Sequence, residues 1–282
     1  MSPQAAIFQP IPAHARHLYF DLAPGVDPRA AFDAVARECD GDTLVLGIGA
    51  PLAGALNLDV PGLRSFPLWR DTKVELPSTQ HALWLWLRGD APGELLRLGH
   101  ALAEKLAPAF VLADATDCFR FRGNRDLTGF EDGTENPEGD AANAAACDAA
   151  GGSFAAIQTW RHDFPAFDAL NGTAQNHVFG RDRESNEELA DAPESAHVKR
   201  TAQEDFTPPA FVVRRSMPWS AGADAGLVFL AFGHRFDAFE ALLSRMAGRD
   251  DGVLDGMFSI SRPLTGGYYW CPPLTGGRLA LA

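Results

Sequence analysis

HLYFDLAPGVDPRAAFDAVARECDGDTLVLGI, residues 17–48, is the stretch that decides the fold. Residues 17–22 (HLYFDL) hold aromatic and aliphatic strand formers and predict a strand. Residues 27–38 (DPRAAFDAVARE) predict a helix. Asp27 stands at its N-cap and Pro28 at the first helical position, where a missing N–H is harmless. Residues 43–48 (TLVLGI) predict a second strand. Working outward, residues 81–87 (HALWLWL) predict a third strand, 94–106 (ELLRLGHALAEKL) a second helix and 119–121 (FRF) a closing strand. Strand, helix, strand, strand, helix, strand is the split order called ferredoxin-like.

The second half repeats the theme loosely. Residues 154–160 (FAAIQTW), 211–216 (FVVRRS) and 227–232 (LVFLAF) predict strands, and 237–246 (DAFEALLSRM) a helix. Between them lies a long polar segment, residues 161–203. A stretch of that length without regular structure is usually functional. Residues 134–152 are rich in Gly, Ala, Asp and Asn and read as a linker. The expected domains are therefore 1–140 and 141–282.

The chain has 282 residues, 46% of them hydrophobic, which is enough for a large core. Acidic residues outnumber basic ones, 37 to 24, for a formal charge of −13. A surface of that sign repels phosphate backbones, so no nucleic-acid partner is expected. No run approaches the ~20 apolar residues of a membrane-spanning helix, so no membrane association is expected. The N-terminal residues lack a basic start followed by an apolar run, so a cytoplasmic location is expected. Cys39, Cys118, Cys147 and Cys271 are scattered, with no CxxC or CxxCH, and are expected to be reduced and structural.

Several motifs fail. Gly47-Ile48-Gly49 follows a strand as a dinucleotide fingerprint would, but Leu52 stands where the third glycine belongs and Pro51 where the helix is due to start. Residues 132–140 (DGTENPEGD) hold oxygen donors, but Gly133 comes too early and Pro137 interrupts an EF-hand pattern. There is no GxxxxGK[ST], HExxH or GxSxG. Four segments remain: 129–137 (GFEDGTENP), 195–200 (SAHVKR), 212–218 (VVRRSMP) and 252–268 (GVLDGMFSISRPLTGGY).

Together these resemble the dye-decolourising peroxidases, the bacterial intracellular branch in particular. The GxxDG signature of that family stands here as Gly129-Phe130-Glu131-Asp132-Gly133. The stretches IQTWRHD, SNEEL, HVKR, RRSMP and SISRPLTGGYYW follow in the family's order. The resemblance covers residues 118–272 well; the N-terminal half fits by pattern.

The resemblance implies an α+β fold of two ferredoxin-like halves with antiparallel sheets in one chain, and a haem b in the C-terminal half. It implies His197 as the iron ligand, with Asp132 and Arg214 on the opposite, peroxide-binding side. Arg214 is preferred to Arg215 because the family's arginine is followed two places on by Asn or Ser, here Ser216, which would take a third role beside the peroxide. Asp255 aligns with an acid that hydrogen-bonds the second ring nitrogen of His197, orienting it and making it more basic. Gly133 is expected to let backbone lie close to the haem face, and Leu227, Phe229 and Phe258 to wall the pocket. His162 and His177, in the polar segment, are expected to face solvent, with a place behind the site residues as the alternative.

The implied function is reduction of hydrogen peroxide with oxidation of an organic donor such as a dye or phenolic. Asp132 would move the peroxide proton and Arg214 would supply fixed positive charge. A haem-handling protein with incidental peroxidase activity is the alternative. Residues 81–87 offer apolar area for a partner copy, so a homodimer or higher homo-oligomer is expected.

Overall fold

The computed structural model describes residues 1–281. Strand β1 (His14–Leu22) leads through helix α1 (Arg29–Ala36) to β2 (Leu44–Ile48) and a short helix α2 (Ala50–Leu56). Strand β3 (Leu83–Gly89), helix α3 (Pro92–Leu106) and strand β4 (Phe110–Phe119) complete the first unit. Its strands lie in the order β4-β1-β3-β2, all antiparallel, which is the ferredoxin-like arrangement.

Helix α4 (Gly139–Ala146) precedes β5 (Ser153–His162). The long polar segment then contains three short helices, α5 (Phe164–Asp168), α6 (Gly172–Phe179) and α7 (His197–Arg200). Strands β6 (Val213–Arg214), β7 (Met217–Ala221) and β8 (Asp224–Gly233), helix α8 (Asp237–Met246), and strands β9 (Ser261–Pro263) and β10 (Gly267–Cys271) follow. Leaving aside the short edge pieces β6 and β9, the second sheet runs β7-β8-β5-β10, the same order met a second time. The two sheets join at both edges, Ile48 opposite Trp270 and Cys118 opposite Trp219, so their eight strands close on one another. Closure leaves few bare edges for foreign strands.

Strand periodicity explains the core. Trp84 and Trp86 of β3 point inward with Tyr19, Val45, Ile157, Phe232 and Tyr269, filling the space between the sheets. Leu83, Leu85 and Leu87 point outward beneath Phe32, Val35, Leu95 and Leu102 of the covering helices. Residues 81–87 read as an apolar run because both faces of the strand are covered. That corrects the argument that this strand seeks a partner copy: Trp84 and Trp86 are fully buried within the chain.

Other expectations shift. The closing strand of the first unit is β4, not residues 119–121. Most of β4 is exposed and carries Asp114 and Asp117, so it lacks an apolar alternation. Residues 139–146 form a helix inside the stretch read as a linker, and the run AANAAA has the propensity for it. Pro51 does not block a helix after β2; it sits in the first turn of α2, where proline is favoured. Pro28 caps α1, and Asp27 Oδ1 accepts from the Arg29 N–H at 3.0 Å. Among the described residues no helix is long and apolar enough to cross a membrane.

One group in the inter-sheet core sets an acid limit on stability. His17 is buried against the rings of Trp84 and Trp86, with Nδ1 accepting from Trp84 Nε1 at 3.1 Å. Burial pushes its pKa down from 6.5 to about 3. The folded value lies below the unfolded one, so folding disfavours the charged imidazole. The stability is therefore complete above about pH 6.5 and is lost as pH falls toward 3, by ~1.4 kcal/mol per pH unit. His17→Gln keeps an acceptor for Trp84 and is expected to flatten that slope in denaturant titrations between about pH 6 and pH 4. An unchanged slope would assign the acid loss to other groups.

Candidate active site

His197 opens α7, directly after the buried Ala196. Its turn packs against the C-terminus of α6 at Gly180. Gly180 has φ +81°, and a Cβ there would lie 2.4 Å from Val198 Cγ1, so a side chain is excluded by both conformation and space. The Nδ1 of His197 lies 2.8 Å from Asp255 Oδ2, and the Asp255 side chain is completely buried. Asp255 Oδ1 accepts the Met257 N–H at 2.8 Å, which fixes the carboxylate. With the ring hydrogen on Nδ1 donated to Asp255, Nε2 carries the lone pair. At the other end of the same turn, Arg200 forks onto Asp251 at 2.7 and 2.8 Å, anchoring α7 to the end of α8. That pairing holds the Asp251 carboxyl down at about 2.

Asp132 and Arg214 form a pair, Oδ1 to Nη1 3.3 Å, and both side chains are largely buried. Asn136 builds this pair. Its side-chain oxygen accepts the Arg214 N–H at 2.7 Å and its amide donates to the Arg214 carbonyl at 3.0 Å, stitching the loop of Asp132 to β6. On the other side, Asp132 N–H donates to the Asn124 carbonyl at 3.0 Å, and the Asn124 amide donates back to the Asp132 carbonyl. The Arg214 Nε is buried without a hydrogen-bond partner, an unmet polar group beside the site.

These groups line two adjoining hollows of about 290 and 90 Å³ that share Asp132, His162, His197, Arg214, Leu227 and Met257. Strand β8 supplies one wall. Its alternation sends Leu227 and Phe229 to the hollow while Val228, Leu230 and Phe232 enter the inter-sheet core. Phe239, Leu242 and Leu243 of α8 continue the apolar wall. The mouth is acidic, with Glu131, Glu135, Glu188 and Glu204 beside Arg181.

Three expected positions fall elsewhere. Ser216 does not reach the hollow. Arg215 N–H donates to the Leu230 carbonyl at 2.8 Å and Ser216 Oγ accepts the Leu230 N–H at 3.4 Å, so two residues oppose one. This bulge between β6 and β7 breaks the alternation that would have set Ser216 beside Arg214. Phe258 packs on Trp160 at 5.3 Å and lines an outer groove, while its neighbour Met257 faces the site. The tight turn over Gly256–Ser259 sends consecutive side chains about a third of a turn apart. Gly133 serves the loop instead: φ is +77°, and a Cβ would lie 2.8 Å from the Asn136 amide nitrogen. Arg215 stays outside the lining. Burial and the neighbouring Arg88 push its pKa down to about 10, against the pull of Asp132.

Sequence reasoning missed Asn136, which it quoted without a role. It also set His162 in solvent. The His162 side chain is 1% exposed, with Nε2 2.9 Å from Asp126 Oδ1 and Nδ1 2.9 Å from Ser261 Oγ. Burial works to raise the Asp126 carboxyl, but the hydrogen bond and charge of His162, with Thr128, hold it below the usual range. His177 does sit at the surface, 3.6 Å from Asp191.

The description of the C-terminal region of the Dyp-type peroxidases matches residues 123–276. The chain belongs to the dye-decolourising peroxidase family. It is 30% identical to the dye-decolorizing peroxidase of Brevibacterium linens over 275 residues, covering 92% of this chain and 74% of that one. It is 30% identical to that of Mycolicibacterium paratuberculosis over 208 residues, 70% of this chain and 59% of that one. The chain thus matches between about three-fifths and three-quarters of the length of these relatives. A variant of Rhodococcus jostii RHA1 DypB, solved in complex with haem, superposes with a TM-score of 0.88 at 26% identity over 96% of each chain.

The residues at the dye-decolourising peroxidase site fit haem. Among the described residues no cluster of three or more His, Cys, Asp or Glu side chains is built to hold a bare metal ion. His197 is a single imidazole donor, so the metal it suits is one that brings its in-plane ligands with it. The apolar wall of Leu227, Phe229 and Leu242 suits a flat macrocycle, and Arg214 offers an unpartnered N–H.

Proposed function

We propose that this chain is a haem b peroxidase that reduces hydrogen peroxide and oxidises organic donors such as dyes or phenolics. The observation that carries the reading is one hollow lined both by the Asp255-supported His197 and by the Asp132–Arg214 pair. Haem b, when bound, supplies the iron at which peroxide is reduced.

The chain's own residues do the rest. His197 Nε2 would offer its lone pair to the haem iron, and the buried Asp255 on Nδ1 holds the ring and enriches it in electron density. The Asp132 carboxylate is ion-paired with Arg214 and accepts no hydrogen bond among the described residues. With haem bound, it would take a proton from one peroxide oxygen and return it to the other, the one that departs. Arg214 stays protonated throughout and stabilises negative charge on the departing oxygen. Leu227 and Phe229 give the site an apolar wall, which lowers the dielectric around both charges.

The haem-handling alternative makes a different expectation. A peroxidase binds haem b one to one, with a saturable Soret band, and turns over a donor at micromolar peroxide far faster than free haem does. Saturable binding with turnover no better than free haem would favour haem handling. Failure to bind haem would remove both readings.

A cytoplasmic location belongs to the same proposal and is supported by the four buried, unpaired cysteines, as a reducing compartment would leave them. So does a homo-oligomer of at least two copies. Its support lies in the exposed Val111 and Leu112 of β4. Light scattering is expected to give at least twice the 30.3 kDa chain mass. The monomer mass at every concentration tested would end that part of the proposal.

A further inference from the structure

The mechanism above makes no use of the buried triad Asp126–His162–Ser261, whose members lie far apart in sequence. Asp126 comes from the loop ahead of Asp132, His162 from the end of β5 and Ser261 from β9. Asp126 and His162 line the larger hollow together with Asp132 and Arg214. Ser261 touches the smaller hollow from inside and also lines an outer groove of about 460 Å³, beside Glu75 and Arg262. The triad therefore spans the wall between the site and the outside.

Its hydrogen count leaves two states at one set of atomic positions. Ser261 Oγ lies 2.9 Å from His162 Nδ1 and 3.2 Å from the Arg161 carbonyl, and it has one hydrogen to give. If the hydroxyl donates to Nδ1, His162 is neutral and donates from Nε2 to Asp126. If Nδ1 bears a hydrogen, the hydroxyl turns to the Arg161 carbonyl and His162 is cationic beside the ionised Asp126. Thr128 supports Asp126 Oδ2 in both states, with its hydroxyl at 2.6 Å and its N–H at 3.2 Å. The other charged groups nearby, Arg161, Asp163, Asp224 and Arg262, lie along a second outer cleft that His162 also lines. Passing between the states needs one hydroxyl rotation and no movement of the chain.

We propose that Ser261, His162 and Asp126 are a proton relay that feeds the site from the outer groove. The proposal rests on the peroxidase reading. Reduction of hydrogen peroxide to two waters takes up two protons with two electrons, the electrons coming from two one-electron oxidations of an organic donor. A phenolic donor that gives up its electron at the protein surface releases its proton there, outside the hollow. The relay returns it: His162 accepts a proton at Nδ1 by way of Ser261 and releases one from Nε2 to Asp126, which gives it up into the hollow that holds Asp132, and a half-turn of the imidazole ring then restores the hydrogen to Nε2 for the second proton. These three are positioning and relay residues; none needs to touch peroxide.

Two measurements test this. In the haem-loaded enzyme, Ser261→Ala and His162→Gln should slow the donor-dependent phase roughly 10-fold, less than the ~10²–10⁴ of a group that itself transfers the reacting proton. The solvent deuterium isotope effect on that phase should rise, and added imidazole should partly rescue His162→Gln. The initial reaction with peroxide, which uses the peroxide's own proton at Asp132, should keep its rate. Equal slowing of both phases with no change in isotope effect would mean a merely structural role and would overturn the proposal.

The second readout does not depend on turnover. In the diamagnetic ferrous carbon monoxide form, the His162 ring N–H should exchange with deuterated solvent about tenfold more slowly in Ser261→Ala than in the unmodified protein, and Ser261→Thr should restore it. Equal exchange in all three overturns the relay. If the unmodified protein fails to oxidise donors, the peroxidase reading falls, and the exchange experiment still decides whether the triad conducts protons.

Discussion

Replacing His197 by alanine is expected to abolish stable one-to-one haem binding, or to leave a haem with altered spin state and a displaced Soret band. The reason is that His197 is a lone imidazole donor backed by a completely buried carboxylate. Its removal also leaves Asp255 buried without the ring it faces, with only the Met257 N–H for support. An uncompensated buried carboxylate costs several kcal/mol, so circular dichroism should accompany the titration to separate misfolding from ligand loss. Asp255→Asn is the milder control. It keeps the shape and one hydrogen bond while withdrawing charge from the ring, and is expected to retain haem with a raised reduction potential. Unaltered spectra in His197→Ala would place the iron ligand elsewhere. The surface residue His177, partnered by Asp191 rather than by a buried acid, would then be the next histidine to change.

The second large effect separates Asp132 from Arg214. Removing a preorganised charge typically costs ~10²–10³ in rate, and removing a general base ~10²–10⁴. The ranges overlap, so magnitude alone does not rank the two; pH does. Asp132 accepts a proton only when ionised, so the rate of the peroxide reaction falls on the acid side as the carboxylate is protonated. Arg214 is charged at every working pH. Arg214→Leu should therefore slow the reaction across the whole range and leave the acid limb in place, while Asp132→Asn should remove the limb along with the rate. Stopped-flow measurements from about pH 4 to pH 8 decide it. Because the two side chains are 3.3 Å apart, their effects are not expected to add. If Asp132→Asn keeps both rate and limb, Asp132 is not the base.

Where the chain forms strands and helices with two covered faces or a clear amphipathic stripe, the pattern is written in the residues. Trp84 and Trp86 alternate with Leu83, Leu85 and Leu87 because one set fills the inter-sheet space and the other lies under helices. Residues 237–246 form α8 with the bounds their periodicity implies. The unread elements are those whose partners hide the signal. Strand β4 is held by backbone pairing to β1 and leaves Val111, Leu112, Asp114 and Asp117 alike exposed, so it shows no alternation. Helix α4 is short and alanine-rich, and only its tertiary packing distinguishes it from a linker.

The site divides in the same way. His197, Asp132, Arg214 and Asp255 were marked by a run of family motifs, not by any spacing that chemistry alone dictates. The fold then brings Asp132 and Arg214, 82 positions apart in the sequence, into one pair. Ser216, Phe258 and Gly133 were misplaced because side-chain direction depends on a bulge, a tight turn and a loop clasp. Asn136 and the Asp126–His162–Ser261 set lay beyond reach because their roles exist only as contacts between distant segments. A histidine in a polar stretch reads as solvent-facing until the carboxylate that buries it is located.

On the proposed function, this one hollow reduces peroxide with electrons drawn singly from an organic donor. The most direct test mixes haem-loaded protein with one equivalent of hydrogen peroxide and an excess of a one-electron donor, and counts donor cation radicals or phenoxyl products against peroxide consumed. The account predicts two donor oxidations per peroxide, at a rate far above that of the same concentration of free haem. Peroxide loss without donor oxidation, or donor oxidation no faster than free haem, would contradict it.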